Sequence, residues 1–283
     1  MAFIRDTIKK ILLNFLDTHK GRRMISMYLS HKHRYIVQKS DDHLVAYKPY
    51  DLIGEEIFEK GQFRRERANE LVRFLVEKQY LGGSREPGVL VEIGGNIGTQ
   101  SIYLMKTNAF RKIIVLEPNR ECFDLLTWNI LLNNLSESSM LFQSAAGERN
   151  KQAILSLRNF NLGASSLTTR LGRIDEAGYE VDVKRIDELL AENNIDPEDL
   201  GLFWIDAEGY ELQIFKGMGT LIGKTAPVYF EYTPFVYESE ERKDFAEIVF
   251  ANFEEVYVHR SGFEQIDRKA FHELKGQVDI LAL

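Results

Sequence analysis

Short apolar runs recur along this chain with helical stretches between them, and that alternation limits the fold more than any other feature. VLVEIG (89–94), KIIVLEP (112–118), MLFQSA (140–145), LFWID (202–206) and APVYFEY (226–232) are apolar nearly throughout rather than at every second position. Strands of that kind are covered on both faces, as in a parallel sheet held between helices. The helices are read at 99–106, at 120–134 with Phe123, Leu126 and Ile130 on one side, at 187–192, from about Glu211, and at 244–252. Strands followed by helices in this way specify an α/β fold built from crossover units. Further strands are expected at 153–157 and 180–184, around a polar loop in which Gly163 and Gly172 mark turns. Residues 255–259 and 278–283 read as a terminal antiparallel pair.

The N-terminal part reads differently. Residues 1 to about 30 are helical by spacing, with Phe3, Ile4, Ile8, Ile11, Leu12, Phe15 and Leu16 on one face and Arg5, Asp6, Lys9 and Lys10 interrupting them. No apolar core long enough for a signal peptide or a membrane span survives these charges. The helix is expected to pack on its own domain or on a second subunit, giving a homodimer. Contact with a membrane surface is the weaker reading. A short strand pair is expected at 35–37 and 44–47. A helix over 63–80 places Leu71, Val72, Leu75 and Val76 on one face. We divide the chain into an N-terminal helical extension, 1–60, and a main domain, 61–283.

Composition narrows the function. The net charge of −7 lowers the prior for a nucleic-acid binder. The one basic run, Arg64–Arg65–Glu66–Arg67 with Lys60 before it, reads as a solvated helix face rather than a contact for an anionic substrate or lipid headgroup. The single cysteine, Cys122, can form neither an internal disulfide nor a multi-thiolate zinc site. It reads as a buried structural thiol in a cytoplasmic protein.

Four segments carry chemistry. In Val91–Glu92–Ile93–Gly94–Gly95–Asn96–Ile97–Gly98 a buried strand runs into a glycine-rich turn that opens a helix. Gly94 lets a ligand approach the backbone, and Asn96 and Gly98 suit positive φ. The dinucleotide spacing G-x-G-x-x-G fails here, because its third glycine would fall on Thr99. An acid at Glu92 suits the ammonium of a nucleoside-linked amino acid better than a pyrophosphate. Glu117, in Leu116–Glu117–Pro118–Asn119 at the end of the next strand, can take both hydroxyls of a ribose. Gln143–Ser144–Ala145–Ala146–Gly147 offers small residues beside a flat ring, with Ser144 within reach of adenine. Trp204–Ile205–Asp206–Ala207–Glu208–Gly209–Tyr210–Glu211 packs three acids into six residues, which repel one another unless a cation lies near. Glu211 fits a helix N-terminal charge. Asp206, on the strand end, is the best active-site candidate.

These segments together resemble the FkbM-type methyltransferases. The resemblance rests on VEIGGNIG, VLEPN, NLGASSL (161–167), KRIDELL (184–190) and above all WIDAEGYELQIFKGM, and it covers roughly residues 50–260. It implies a class I, Rossmann-like, mostly parallel seven-stranded sheet with helices on both faces, and S-adenosylmethionine as cofactor. It also implies methylation of a hydroxyl on a sugar, glycan or small natural product. Carried onto this chain, it implies cofactor binding by Glu92, Gly94, Asn96, Gly98 and Glu117, with an active-site role for Asp206. Asn119, Ser144 and Ala145 join the cofactor set by position. The chain departs from the family at Gly95, where Ala is commoner. Acceptor choice is expected to lie outside the clear match, in the first fifty residues and the 31–60 loop.

Asp206, Glu208 and Glu231 are the candidates for catalytic base or substrate clamp, and His259 is a further, weaker one. A metal-free site is expected in preference to a divalent ion on Asp206 and Glu208. Asn161, Ser165 and Ser166 are read equally as sugar contacts or as a surface turn. Tyr229, Tyr232, Phe235 and Tyr237 read mostly as core or rim, with one or two of them open to stacking on a sugar ring. Two rival readings share the sheet. A nucleotide-sugar oxidoreductase would need the glycine spacing that fails here, and a catalytically silent binding module would not need Glu92, Glu117 and Asp206.

Overall fold

A computed structural model describes residues 10, 13–16, 18–83, 86–158, 161–168 and 176–283. The chain divides into two compact units, Met1–Arg64 and Arg65–Leu283. Most of the apolar N-terminal stripe read from the sequence, and Gly172, lie outside the described residues.

In the first unit, α1 (His19–Lys32) starts at Thr18, whose side chain accepts from Gly21 N. Strands β1 (Ile36–Lys39) and β2 (Leu44–Tyr47) form the expected antiparallel pair. Helix α2 (Leu52–Lys60) is capped by Asp51 and stops at Gly61, whose φ of 75° is open to glycine at little steric cost. Val45, Ala46, Tyr47, Ile53 and Ile57 form its buried core.

The second unit runs α3 (Arg65–Glu77), β3 (Gly88–Ile93), α4 (Thr99–Lys106), β4 (Phe110–Leu116), α5 (Arg120–Leu132), β5 (Ser139–Phe142), β6 (Ala145–Ala146), β7 (Lys151–Leu157), β8 (Glu176–Lys184), α6 (Ile186–Glu192), β9 (Leu200–Ile205), α7 (Glu211–Gly217), β10 (Val228–Tyr232), α8 (Ser239–Asn252), β11 (Val256–His259), β12 (Phe263–Gln265), α9 (Arg268–Glu273) and β13 (Val278–Ala282). The main sheet has the order β12-β11-β13-β10-β9-β3-β4-β5. Strands β5, β4, β3, β9 and β10 are mutually parallel, and β13 runs antiparallel between β10 and β11. This is the mostly parallel α/β sheet read from the sequence, with seven strands as expected. The three-residue strand β12 adds an eighth by pairing back on β11 at the edge.

Every residue of β9 and β10 is buried, as strands covered on both faces require. Alternation assigns the faces. Phe203, Ile205 and Phe230 join one core with Phe215 and Phe245, while Leu202, Trp204 and Tyr229 join the other with Leu71 and Ile102.

Three expectations change. MLFQSA is two strands, because Ser144 N turns back to Phe142 O after β5 and Ala145–Ala146 pairs with β8 instead. With β7, these strands form a separate three-stranded sheet that the sequence reading did not foresee. Val76 is 44% exposed, so α3 buries only Leu71, Val72 and Leu75 of the stripe, with Ala68. The helix read at 244–252 begins at Ser239, where Glu238 and Glu241 form a capping box.

Candidate active site

The parallel registers line up the strand ends. Phe142, Leu116, Ile93, Ile205 and Phe230 pair as one row across β5, β4, β3, β9 and β10. The next residues, Gln143, Glu117, Gly94, Asp206 and Glu231, stand at the carboxyl edge. Glu117 N donates to Phe142 O (3.1 Å), Gly94 N to Leu116 O (2.9 Å) and Asp206 N to Ile93 O (2.9 Å). The chain order reverses between β3 and β9, the switch point at which ligands enter such sheets. Three acids therefore flank a glycine at that crevice. A Cβ on Gly94 would run into the carbonyl oxygen of Asp206, and its φ is 87°.

Glu117 holds the turn together. Its two carboxylate oxygens accept from Asn96 N and Asn119 N, each at 2.7 Å. Asn96 (φ 48°) and Gly98 (φ 83°) take the left-handed conformations expected of them. The Asn119 side chain caps α5 by accepting from Glu121 N and Cys122 N, and its Nδ2 donates to Ser165 Oγ (3.0 Å). Asn119 thus shapes the turn with its side chain already engaged. Cys122 is buried in α5, as read.

The acidic loop after β9 is held from below. Buried Glu211 accepts from Ala207 N (3.0 Å), Gly209 N (3.1 Å) and the Tyr237 hydroxyl. It acts as an anchor for the loop as well as a first-turn acid of α7. Glu208 (φ 50°) and Gly209 (φ 86°) form the bend, and Ser166 Oγ donates to Glu208 O (2.6 Å). Carboxylate oxygens of Asp206, Glu208 and Glu231 lie within 4.8 Å of one another. Three such groups either share protons or surround a cation, and hard carboxylate oxygens suit a divalent ion. Burial, with Asp206 and Glu208 beside it, pushes Glu231 up to about 9, so it keeps a proton at neutral pH. Gln277 donates to it.

Two expected site residues sit elsewhere. Glu92 lies inside β3, opposite Val115 and Trp204, not at the strand tip. It is 1% exposed and accepts from Ser101 in α4, and burial pushes it up to about 8. Alternation explains the depth: Glu92 shares the face of Leu90, under α4. His259 is neither a surface group nor a base at the crevice. It is buried between Tyr229 (2.8 Å) and Glu70 (2.9 Å), and burial lowers its pKa. Arg67 of the basic run pairs with Asp279 rather than facing water alone.

Other residues fall as the fold dictates. Ser144 is 5% exposed, and its Oγ has no partner among the described residues; the same holds for the buried Oδ1 of Asn96. Ala145 is buried in β6 and Asn161 half-buried. Ser165 and Ser166 spend their hydroxyls on Asn119 and Glu208, and Ser166 bridges Ser156. Tyr229, Tyr232 and Tyr237 are core, whereas Phe235, just past β10, is 67% exposed.

A sequence profile of the methyltransferase FkbM domain matches residues 92–264, more than half the chain. The chain belongs to the FkbM methyltransferase family. Methyltransferase sdnD of Sordaria araneosa is 27% identical over 158 residues, which are 46% of this chain and 60% of that protein. Among solved structures, M. jannaschii TYW2 in complex with AdoMet aligns at a TM-score of 0.44 and 12% identity, over 88% of this chain and 85% of that one. The fibrillarin/Nop5p complex aligns at 0.45 and 15%, over 87% and 96%. The cofactor of this FkbM methyltransferase is S-adenosylmethionine. The residues present fit it. Asn96 Oδ1 and Ser144 Oγ are buried without a partner among the described residues, and Glu117 retains two of a carboxylate's roughly four acceptor positions.

Proposed function

We propose that the chain is an O-methyltransferase acting on a hydroxyl of a sugar, glycan or small natural product. The observation that carries this reading is the row Glu117–Gly94–Asp206–Glu231 at the switch point, because it sets a hydroxyl-binding acid and a proton acceptor on either side of an open backbone. In this reading Glu117 takes the ribose hydroxyls and Ser144 contacts the adenine ring. Gly94, Asn96 and Gly98 form the backbone cradle, and Glu92, buried beneath it, becomes charged only as pH rises toward about 8 or as the ligand's cation draws off its proton. S-adenosylmethionine supplies an electrophilic methyl group on a sulfonium.

Asp206 is the proton acceptor for the attacking hydroxyl, and Glu208 clamps the acceptor from the same loop. Glu231, holding its proton, donates a hydrogen bond from one oxygen while the other accepts from Gln277. A positioned base contributes about 10²–10⁴-fold, and alignment of the two reactants contributes more. Phe235, exposed beside the loop, is the ring on which a sugar stacks. Nucleic acid is a poor acceptor, since residues 65–283 carry 24 Lys and Arg against 35 Asp and Glu.

The test is a screen of hydroxylated sugars and metabolites, amines and RNA with labelled methyl donor. Label is expected on oxygen of a neutral acceptor. Asp206→Asn is expected to lower kcat about 10²–10⁴-fold on that acceptor. Label on nitrogen, or on RNA alone, refutes the reading. Binding of NAD without binding of S-adenosylmethionine would return the oxidoreductase.

A further inference from the structure

We propose that the outward face of α1 docks on an anionic phospholipid surface. The exposed residues of α1 are His19, Lys20, Arg23, Met24, Met27, Tyr28, His31 and Lys32, and from Lys20 onward they recur at helical spacing as one stripe. The middle of that stripe is apolar: Met24 is 55% exposed, Met27 43% and Tyr28 61%. Cations flank it at both ends, Lys20 and Arg23 at one, where Arg23 also pairs with Glu55 (3.5 Å), and Lys32 at the other. The opposite face is the quieter one, with Gly21 and Ser26 buried, Ser26 Oγ accepting from Tyr50 N, and Arg22 reaching Glu59 O on α2. The helix buries Gly21 and Ser26 and half-buries Ile25 and Leu29 on its own unit, yet leaves Met24, Met27 and Tyr28 exposed to water.

Charge selects the partner. Residues 18–40 hold six Lys and Arg, three His and no acid. The unit Met1–Arg64 carries 12 Lys and Arg against 8 Asp and Glu, whereas the rest of the chain is strongly acidic. Beyond the end of α1, a cavity of about 280 Å³ is lined by Lys32, Arg34 and Lys48, with His31 and His33. A second copy is the wrong occupant, because pairing two such stripes sets cation against cation. A phospholipid layer suits both parts of the stripe. Met and Tyr enter the headgroup boundary, Lys and Arg extend along their stems to phosphates, and the cavity offers a headgroup several cations at once. No helix among the described residues is long and apolar enough to cross a membrane, so the contact is with the surface.

The full chain is sedimented with vesicles of phosphatidylcholine alone and of phosphatidylcholine with about 30% phosphatidylserine. Binding is expected only to the second, falling with added salt. Met27→Asp with Tyr28→Asp, and separately Lys20→Glu with Arg23→Glu, are each expected to weaken it about tenfold or more. All four side chains are exposed, and far-UV circular dichroism of each variant checks that the helices remain folded. Three results overturn the proposal. The vesicles go unbound, the Asp variant binds as the parent does, or poly-L-glutamate binds in place of vesicles, which marks an acidic protein as the partner.

Discussion

Replacing Glu117 by Gln tests the central geometry, because it keeps the shape and changes only the charge and one acceptor. Both carboxylate oxygens face backbone N–H groups, of Asn96 and Asn119, at 2.7 Å. The new amide must point its NH₂ at one of them. A buried donor left unpaired costs about 1–3 kcal/mol. Some of that is offset, because burial already pushes the carboxyl up to about 7 and the variant no longer buries a charge. Net destabilisation is therefore expected near ~1–2 kcal/mol, read as a lower urea midpoint at unchanged slope. Cofactor binding loses more. A hydrogen bond to a charged acceptor contributes about 1.5–3 kcal/mol, and the variant gives up one of the two to the ribose. The Kd for S-adenosylmethionine is expected to rise about 10–150-fold by calorimetry at a pH above 7, where the parent carboxyl is ionised. A Kd within about threefold of the parent, with the urea midpoint lowered, would show that Glu117 only braces the two turns. The ribose assignment would then be wrong.

Gly94→Ala drives a methyl into the Asp206 carbonyl at positive φ. About 1–2 kcal/mol for the backbone and 1–3 kcal/mol for the overlap are expected as lost stability, with cofactor binding lost as well. A variant that melts with the parent and binds the cofactor would remove Gly94 from the crevice. The raised carboxyls also set a pH dependence. Glu117, Glu92 and Glu231 titrate in the folded chain at about 7, 8 and 9, above their unfolded values, so the unliganded fold loses stability as pH rises through that window. A cationic ligand favours the ionised forms, so affinity for S-adenosylmethionine is expected to increase with pH over the same window, by up to about tenfold per unit for each proton released. A Kd independent of pH would detach those acids from the ligand. Because the proton on Glu231 already relieves the Asp206–Glu208–Glu231 cluster, dialysis against EDTA is expected to leave methyl transfer unchanged. Activity lost on dialysis and restored by magnesium would give the cluster to a cation.

The local pattern determined which segments are strands and which residues end them. Strands buried on both faces advertise themselves as unbroken apolar runs, and glycine-rich or acidic turns interrupt such runs visibly. That sufficed for the α/β sheet, for the motif at 92–98, and for Glu117 and Asp206 at strand tips. What followed from pairing was not legible. Register decided that Gly94, rather than Glu92, stands level with Glu117 and Asp206. A shift of one residue moves a side chain to the other face, and nothing within a single strand fixes its partner's register. Convergence of Glu231 on Asp206 and Glu208 required β10 to lie beside β9. The burial of His259 against Tyr229 and Glu70 required a helix nearly two hundred positions earlier to pack on β11. The sequence by itself determined the chemical groups available at the sheet's edge. Tertiary structure alone decided which of them share one crevice, because burial and neighbouring charge belong to the packed chain and not to the residue.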